Sequence, residues 1–191
     1  MKVLGINGSA RKDGNTAIII RRVFTELEKE GIETELIQLA GKKIRGCTAC
    51  LKCRENMDNR CAVNNDSFNK YFEKILDADG IVLGSPTYFA DMTPEMKALI
   101  DRAGYVSRAN GNTLKRKVGA AVSVARRAGA MHTIDSINHL FLISQMIIPG
   151  SIYWNVVYGR EKGDVETDTE GMQTMQVLGE NMAWLLKKVN S

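Results

Sequence analysis

The sequence has little proline, few aromatic residues and no long apolar run. Of 191 residues, 3 are proline and 6% are Phe, Trp or Tyr. The longest apolar stretch, from Leu140 to Ile148, is interrupted by Ser144 and Gln145 and is too short to span a bilayer. The residues after Met1 do not include an apolar segment typical of a signal peptide. We therefore expect a cytoplasmic protein without a membrane segment.

The chain also lacks a strong charge of either sign. Its 26 Lys and Arg residues against 22 Asp and Glu residues give a formal net charge of +4, which is too mild to indicate nucleic-acid binding. Hydrophobic residues make up 44% of the sequence, enough to form a core. The length is that of one domain, so we predict a single domain over residues 1–191.

Cysteine is scarce, and its distribution is uneven. All 4 cysteines lie between Cys47 and Cys61. Cysteines this close together could close only small loops, so a disulfide scaffold linking distant segments is excluded. The crowding instead indicates that the thiols coordinate something jointly.

Short apolar runs alternate with helical patterns along the chain. We predict strands at residues 3–6, 34–39, 81–84, 118–124 and 151–157, with a helix between successive strands and one at the end. Thr93-Pro94-Glu95 is a strong helix start, with a cap residue, a proline in the first turn and an acid at the positive end of the helix dipole. This order predicts an α/β fold, a doubly wound five-stranded parallel sheet with helices on both faces.

In such sheets ligands bind beyond the carboxyl ends of the strands. The loops after the first, third and fourth strands are therefore candidate site loops. The segment of about residues 41–66, which holds all the cysteines and has neither strand nor helix periodicity, reads as an insertion. Because it follows the second strand, we expect it to leave the sheet at the same edge.

The loop after the first strand has the composition of an anion-binding site. Gly8 to Thr16 offers backbone amides, hydroxyl groups and a following helix N-terminus, and Arg11 adds a positive charge. It is not a Walker A loop, because Asn15 stands where that motif needs lysine, and it lacks the third glycine of a dinucleotide fingerprint. An ordinary polar connection is the alternative.

The first loop, together with Ser85-Pro86-Thr87-Tyr88-Phe89, resembles the NADPH-dependent FMN reductases of the flavodoxin-like superfamily. The resemblance implies that the first loop holds the FMN phosphate, the loop after the third strand lines the isoalloxazine ring, and the loop after the fourth strand meets its pyrimidine edge. The cofactor-binding residues it implies are Ser9, Arg11, Asn15, Thr16, Ser85, Pro86, Thr87, Tyr88, Phe89, Ala125, Arg126 and Gly129. The alternatives are core packing for Tyr88 and Phe89, and a surface or oligomer contact for Arg127.

The cysteines form the pattern C-x2-C-x2-C-x7-C at Cys47, Cys50, Cys53 and Cys61. Thiolates at every third residue suit neighbouring corners of a cubane cluster. Zinc sites more often use two separated cysteine pairs, and free thiols are a further alternative. The pattern is similar to that of the iron–sulfur flavoproteins of anaerobic microbes, a resemblance that implies a [4Fe–4S] cluster on these four cysteines.

That resemblance implies electron transfer from a ferredoxin-like donor through the cluster to FMN. A small molecule (oxygen, peroxide or a quinone) would then be the acceptor. It also implies a homodimer or homotetramer. The enzyme alternative is a cluster-free NAD(P)H-dependent FMN or quinone reductase, and the alternative of another class is a zinc-stabilised binding module that is not an enzyme.

Overall fold

The computed structural model describes residues 1–190 and contains one five-stranded sheet. Every neighbouring pair of strands is parallel, and the strand order is β2-β1-β3-β4-β5. The strands are β1 (Lys2–Asn7), β2 (Glu33–Gln38), β3 (Gly80–Pro86), β4 (Val118–Ala125) and β5 (Val156–Tyr158). The predicted parallel sheet is confirmed, and the polar second strand lies at an edge of it.

Helices cover both faces of the sheet, as predicted. They are α1 (Asn15–Lys29), α2 (Lys52–Asn56), α3 (Phe68–Asp77), α4 (Pro94–Ala109), α5 (Ala130–Ile143) and α6 (Thr169–Val189). Successive strand residues point to opposite faces, so Val3 packs with α1 and α6, whereas Leu4 packs with α3, α4 and α5. In the part of the chain that the structure describes, no helix is both long enough and apolar enough to cross a bilayer.

The start of α4 ties two of the candidate site loops together. Thr93 caps the helix, with its side-chain oxygen accepting a hydrogen bond from the Met96 amide at 3.4 Å. The same hydroxyl donates to the carbonyl of Gly8 at 2.8 Å. The predicted helix start therefore also fixes the loop after β1 against the loop after β3.

The fifth strand is shorter than its sequence predicts, which corrects the predicted span of 151–157. Only Val156–Tyr158 pairs with β4, at Ser123 to Ala125. Ile152, Tyr153 and Trp154 are 52%, 62% and 60% exposed. The apolar residues of this run lie on the surface, so the run predicts too early a start for the strand.

Candidate flavin and cysteine sites

A cleft of about 160 Å³ lies at the carboxyl ends of β1, β3 and β4. Four cations line it, and no carboxylate among the described residues does. It therefore suits an anionic group bound at one end. The lining residues are Ser9, Arg11, Gly14, Asn15, Thr16, Pro86, Thr87, Tyr88, Val124, Arg126, Gly159, Arg160 and Lys162.

The loop after β1 is held in place by the side chains of Asn7 and Ser9 and by β3. The Gly8 amide donates to the Gly84 carbonyl at 2.8 Å, and the Ser9 amide donates to Oδ1 of Asn7 at 2.9 Å. The Arg11 amide donates to Oγ of Ser9 at 3.1 Å. No side chain caps α1 at Gly14. The first-turn amides therefore remain available to a phosphate, which the helix dipole would also favour.

A fourth loop, residues 159–163, completes the cleft, and sequence reasoning missed it. The Asn15 side chain donates to the Glu161 carbonyl and accepts from the Gly163 amide, both at 2.8 Å. Nη1 of Arg11 donates to the Arg160 carbonyl at 3.2 Å. Gly159 approaches closely, since a Cβ there would lie 2.9 Å from Nδ2 of Asn15. Two predicted phosphate ligands thus hold the loop that brings in Arg160 and Lys162.

The loop after β3 contributes Pro86, Thr87 and Tyr88 to the cleft. Oγ1 of Thr87 lies 3.0 Å from Oγ of Ser123, which joins this loop to β4. Ser85 lies beneath the cleft, fully buried, and its hydroxyl accepts from the Thr93 amide at 3.0 Å. Ser85, a predicted cofactor-binding residue, therefore lies near the cleft but does not line it.

Phe89 lies at the tip of a tight turn beyond the cleft. The amide and carbonyl groups of Tyr88 and Asp91 bond each other at 2.8 and 3.1 Å. The two residues between them, Phe89 and Ala90, have φ of +49° and +66°. Such conformations disfavour residues other than glycine. Phe89 is fully exposed, so within one chain it does not line the cleft.

The loop after β4 supplies Arg126 to the cleft. Ala125 and Gly129 are placed beside it rather than on its lining: the Ala125 carbonyl accepts from the Gly159 amide at 3.0 Å. Gly129 has φ of +88°, and a Cβ there would lie 3.3 Å from Cα of Ala90. This glycine therefore allows the loops after β3 and β4 to approach each other. Arg127 is exposed and does not line the cleft.

The four cysteines line one small pocket on the opposite face of the sheet from α1. None is in a disulfide bond. The pocket lies between the cysteine segment and α4, where it is lined by Arg102, Tyr105 and Val106. Cys53, on α2, is the most buried of the four, and its Sγ lies 4.0 Å from the Tyr105 carbonyl. All four predicted metal ligands therefore line the same pocket, although among residues 1–190 no three His, Cys, Asp or Glu side chains are placed to hold one metal ion.

The environment of the thiols differs within the pocket. The backbone amide of Lys52 and the Thr48 side chain lower the pKa of Cys50 by hydrogen bonding to its sulfur. Burial raises the pKa of Cys53, and the charges of the other three cysteines raise it further. Cys53 is thus the thiol on which the other three act.

A buried ion pair fixes both ends of the cysteine segment to α4. The side chains of Arg102 and Asp66 are fully buried, and Nη1 of Arg102 lies 2.5 Å from Oδ2 of Asp66. Arg102 also donates to the carbonyls of Arg45 and Val63. Its guanidinium carbon lies 4.1 Å from the ring centroid of Phe68. Positions 45 and 63–66 are therefore held by one side chain.

The cleft and the cysteine pocket share no lining residue. The cysteine segment leaves β2 at the expected edge, where the Leu39 amide bonds the Asn7 carbonyl at 3.0 Å. The segment then packs along α4. Arg102 and Tyr105, which line the cysteine pocket, lie 9 and 12 residues after Thr93, or about 13 and 18 Å along the helix. Within one chain the two sites are separate.

Comparison with known proteins agrees with this geometry. A family model described as NADPH-dependent FMN reductase matches residues 1–161. An iron–sulfur flavoprotein of Methanocaldococcus jannaschii is 37% identical over 196 aligned positions, covering 99% of each chain. An iron–sulfur flavoprotein of Methanosarcina thermophila is 34% identical, covering 99% of this chain and 97% of its own.

Solved structures show the same fold at low sequence identity. The structure of RosB with a bound riboflavin-phosphate intermediate has a TM-score of 0.81 at 19% identity, covering 100% of this chain and 80% of RosB. An archaeal flavodoxin has a TM-score of 0.65 at 16% identity, covering 98% of this chain and 99% of its own. The fold and the anion-binding cleft define a flavodoxin-like flavoprotein.

The chain belongs to the NADPH-dependent FMN reductase family. It is an FMN-dependent oxidoreductase. The cleft fits this cofactor, because its cations and the uncapped start of α1 suit a phosphate, whereas Pro86, Thr87 and Tyr88 offer a less polar wall for a ring system.

Proposed function

We propose that this oxidoreductase is a cytoplasmic iron–sulfur flavoprotein with a [4Fe–4S] cluster on Cys47, Cys50, Cys53 and Cys61. Single electrons would enter from a ferredoxin-like carrier, pass through the cluster to FMN, and leave to oxygen, peroxide or a quinone. The observation that carries the proposal is the convergence of four free thiols on one pocket of a flavin-binding fold. The names of the two relatives also favour it.

The donor set fits a cluster better than a single metal ion. Zinc sites made of four thiolates more often use two separated cysteine pairs. Here three cysteines recur at every third residue, and Cys61 follows after seven intervening residues. Thiolates spaced in this way suit neighbouring corners of a cubane, so the motif favours the cluster over zinc.

The surface beside the cysteine pocket supports an acidic electron carrier as the donor. A groove of about 810 Å³ between α4 and α5 shares Tyr105 with the pocket and carries Arg54, Lys97 and Arg108. Asp101 is the carboxylate that lines it, and it is paired with Lys97. Positive charge at this position would steer a negatively charged protein towards the cysteines.

The separation of the two sites favours an oligomeric enzyme. In a homodimer or homotetramer, the cysteine pocket of one chain would lie near the FMN cleft of another and shorten the electron path. Phe89 is fully exposed beside the cleft. It is an apolar surface that a second copy would cover.

Anaerobic purification with iron, acid-labile sulfide and flavin assays tests the proposal. We expect about four iron atoms per chain, together with FMN. Cys61→Ser should remove most of the iron but retain FMN, because the two sites share no lining residue, and Met57→Ser is the matched control on the same segment. Flavin without iron after cluster reconstitution, with rapid bleaching by NAD(P)H alone, would identify the cluster-free reductase instead. A colourless protein holding zinc would identify a binding module.

A further inference from the structure

Arg102 occupies a position that an arginine rarely takes. It lies on the core-facing side of α4, between Leu99 and Val106, and none of its surface is exposed. A guanidinium removed from water must be compensated by hydrogen bonds or by an opposite charge. Each N–H group of Arg102 therefore needs a hydrogen-bond acceptor.

Both terminal nitrogens of Arg102 have hydrogen-bond partners. Nη1 donates to Asp66 and to the Arg45 carbonyl, and Nη2 donates to the Val63 carbonyl. Nε is different, because it is buried and has no hydrogen-bond partner. Buried donors are almost always paired in folded proteins. An unpaired N–H on a fully buried cation thus indicates that a partner belongs beside it.

The place of Arg102 identifies the chemistry of that partner. The side chain lines the pocket that the four cysteines also line. Tyr105, one turn further along α4, has its carbonyl 4.0 Å from Sγ of Cys53. The four cysteine sulfurs are the most numerous side-chain acceptors that line this pocket, beside the Thr48 hydroxyl. Thiolates and the sulfides of an iron–sulfur cluster both accept N–H hydrogen bonds.

We propose that Nε of Arg102 donates a hydrogen bond to a sulfur of the metal centre and thereby raises its reduction potential. This inference rests on the proposed cluster. A hydrogen bond to sulfur and a nearby positive charge both stabilise the reduced, more negative state. Asp66 neutralises much of the charge of Arg102, so the directional N–H bond is the main contribution. Arg102 is thus a positioning residue for the cysteine segment and also a tuning residue for the centre.

Arg102→Lys separates these two roles, because lysine keeps the charge and can pair with Asp66 but has no Nε. With iron content preserved, we expect the reduced-to-oxidised ratio at a fixed potential to fall about tenfold, equivalent to about 59 mV for one electron. The control is Lys117→Met, which removes a half-buried cation that does not line the pocket. If an Arg102→Lys protein with its full iron content has the same reduction potential as the parent protein, the inference is overturned.

Asp66→Asn keeps Nε and weakens the ion pair. A purely structural role for Arg102 requires this variant to lower the potential as Arg102→Lys does, whereas hydrogen bonding from Nε requires that it does not. Electron-nuclear double resonance on the reduced, otherwise unchanged protein, labelled with ¹⁵N-arginine, needs no variant to fold. We expect a ¹⁵N coupling to the cluster, and its absence would contradict the inference. Absence of iron from the parent protein would instead refute the proposed function itself.

Discussion

Arg102 and Asp66 form a fully buried ion pair, and both partners also bond the backbone of the cysteine segment or of its flank. Asp66 accepts from the Arg45 amide at 2.8 Å and from the Phe68 amide at 3.2 Å. Although burial alone would raise the pKa of Asp66, the Arg102 guanidinium and these two amides hold it below its usual value. The pair therefore fixes a segment that has little regular structure of its own.

This pKa direction predicts an acid-sensitive contribution to stability. The carboxylate of Asp66 is favoured in the folded state, so its contribution is fully present above the pKa of an unfolded aspartate, about 3.9. It is lost as pH falls through the lower pKa of the folded state. At neutral pH, Asp66→Asn should lower the free energy of unfolding by about 3 kcal/mol.

Urea denaturation of the metal-free protein measures this effect. Asp101→Asn is the control, since Asp101 pairs with Lys97 on the surface of the same helix and should contribute less than about 0.5 kcal/mol. The two substitutions should converge in effect at strongly acid pH. If both variants lose the same free energy of unfolding at neutral pH, burial does not strengthen the Arg102–Asp66 pair.

Lys162→Ala should weaken FMN binding and leave riboflavin binding almost unchanged. Lys162 lines the cleft with Arg11, Arg126 and Arg160. A hydrogen bond to a charged group contributes about 1.5 kcal/mol or more, so we expect a loss of about tenfold in FMN affinity. Fluorescence titration of apoprotein with both flavins measures the ratio, and the exposed Lys115→Ala is the control. A parallel loss for riboflavin would place Lys162 away from the phosphate.

Asn15→Ala should destabilise the protein even without flavin. Both side-chain bonds of Asn15 go to the 159–163 loop. Losing them should lower the free energy of unfolding of apoprotein by about 1–2 kcal/mol and weaken FMN binding indirectly, because Arg160 and Lys162 are no longer held. Thermal denaturation of the apoprotein is decisive. Unchanged apoprotein stability with weaker FMN binding would instead support direct contact between Asn15 and the phosphate.

Ala90→Gly should stabilise the apoprotein. Ala90 has φ of +66° in the turn between Tyr88 and Asp91, and this left-handed backbone conformation is strained for alanine. Removing this strain should raise the free energy of unfolding by about 1–2 kcal/mol. The greater conformational freedom of glycine in the unfolded chain should lower it by about 0.5–1 kcal/mol. We expect a net gain of about 0.5 kcal/mol, measured by urea denaturation. As a control, Ala62→Gly, an exposed alanine in the cysteine segment with ordinary φ, should bring no gain.

The sequence pattern predicts most of the fold because the relevant signals are local. Thr93-Pro94-Glu95 marks the start of α4 correctly, and the run at 118–124 matches β4 within a residue. The predicted start of β5 was wrong, because Tyr153 and Trp154 are apolar but exposed. Hydrophobicity indicates burial only on average.

The site was predictable to the extent that its residues are adjacent in sequence. The cysteine motif and the loop after β1 are contiguous, so both are visible as patterns. Arg160 and Lys162 carry no motif and join the cleft only through the bonds made by Asn15 and Arg11. Arg102 had one local signal: with Leu99 and Val106 it lies on the buried stripe of α4 at helical spacing.

The two rims of the sheet also bear on how the protein behaves at high concentration. On one rim, β2 carries Glu33 and Glu35, which pair with Lys2. On the other, β5 offers only three residues for pairing. Charged or very short outer strands make poor templates for strands of other molecules. Ordered fibril growth through either rim is therefore disfavoured, by charge at β2 and by the short length of β5.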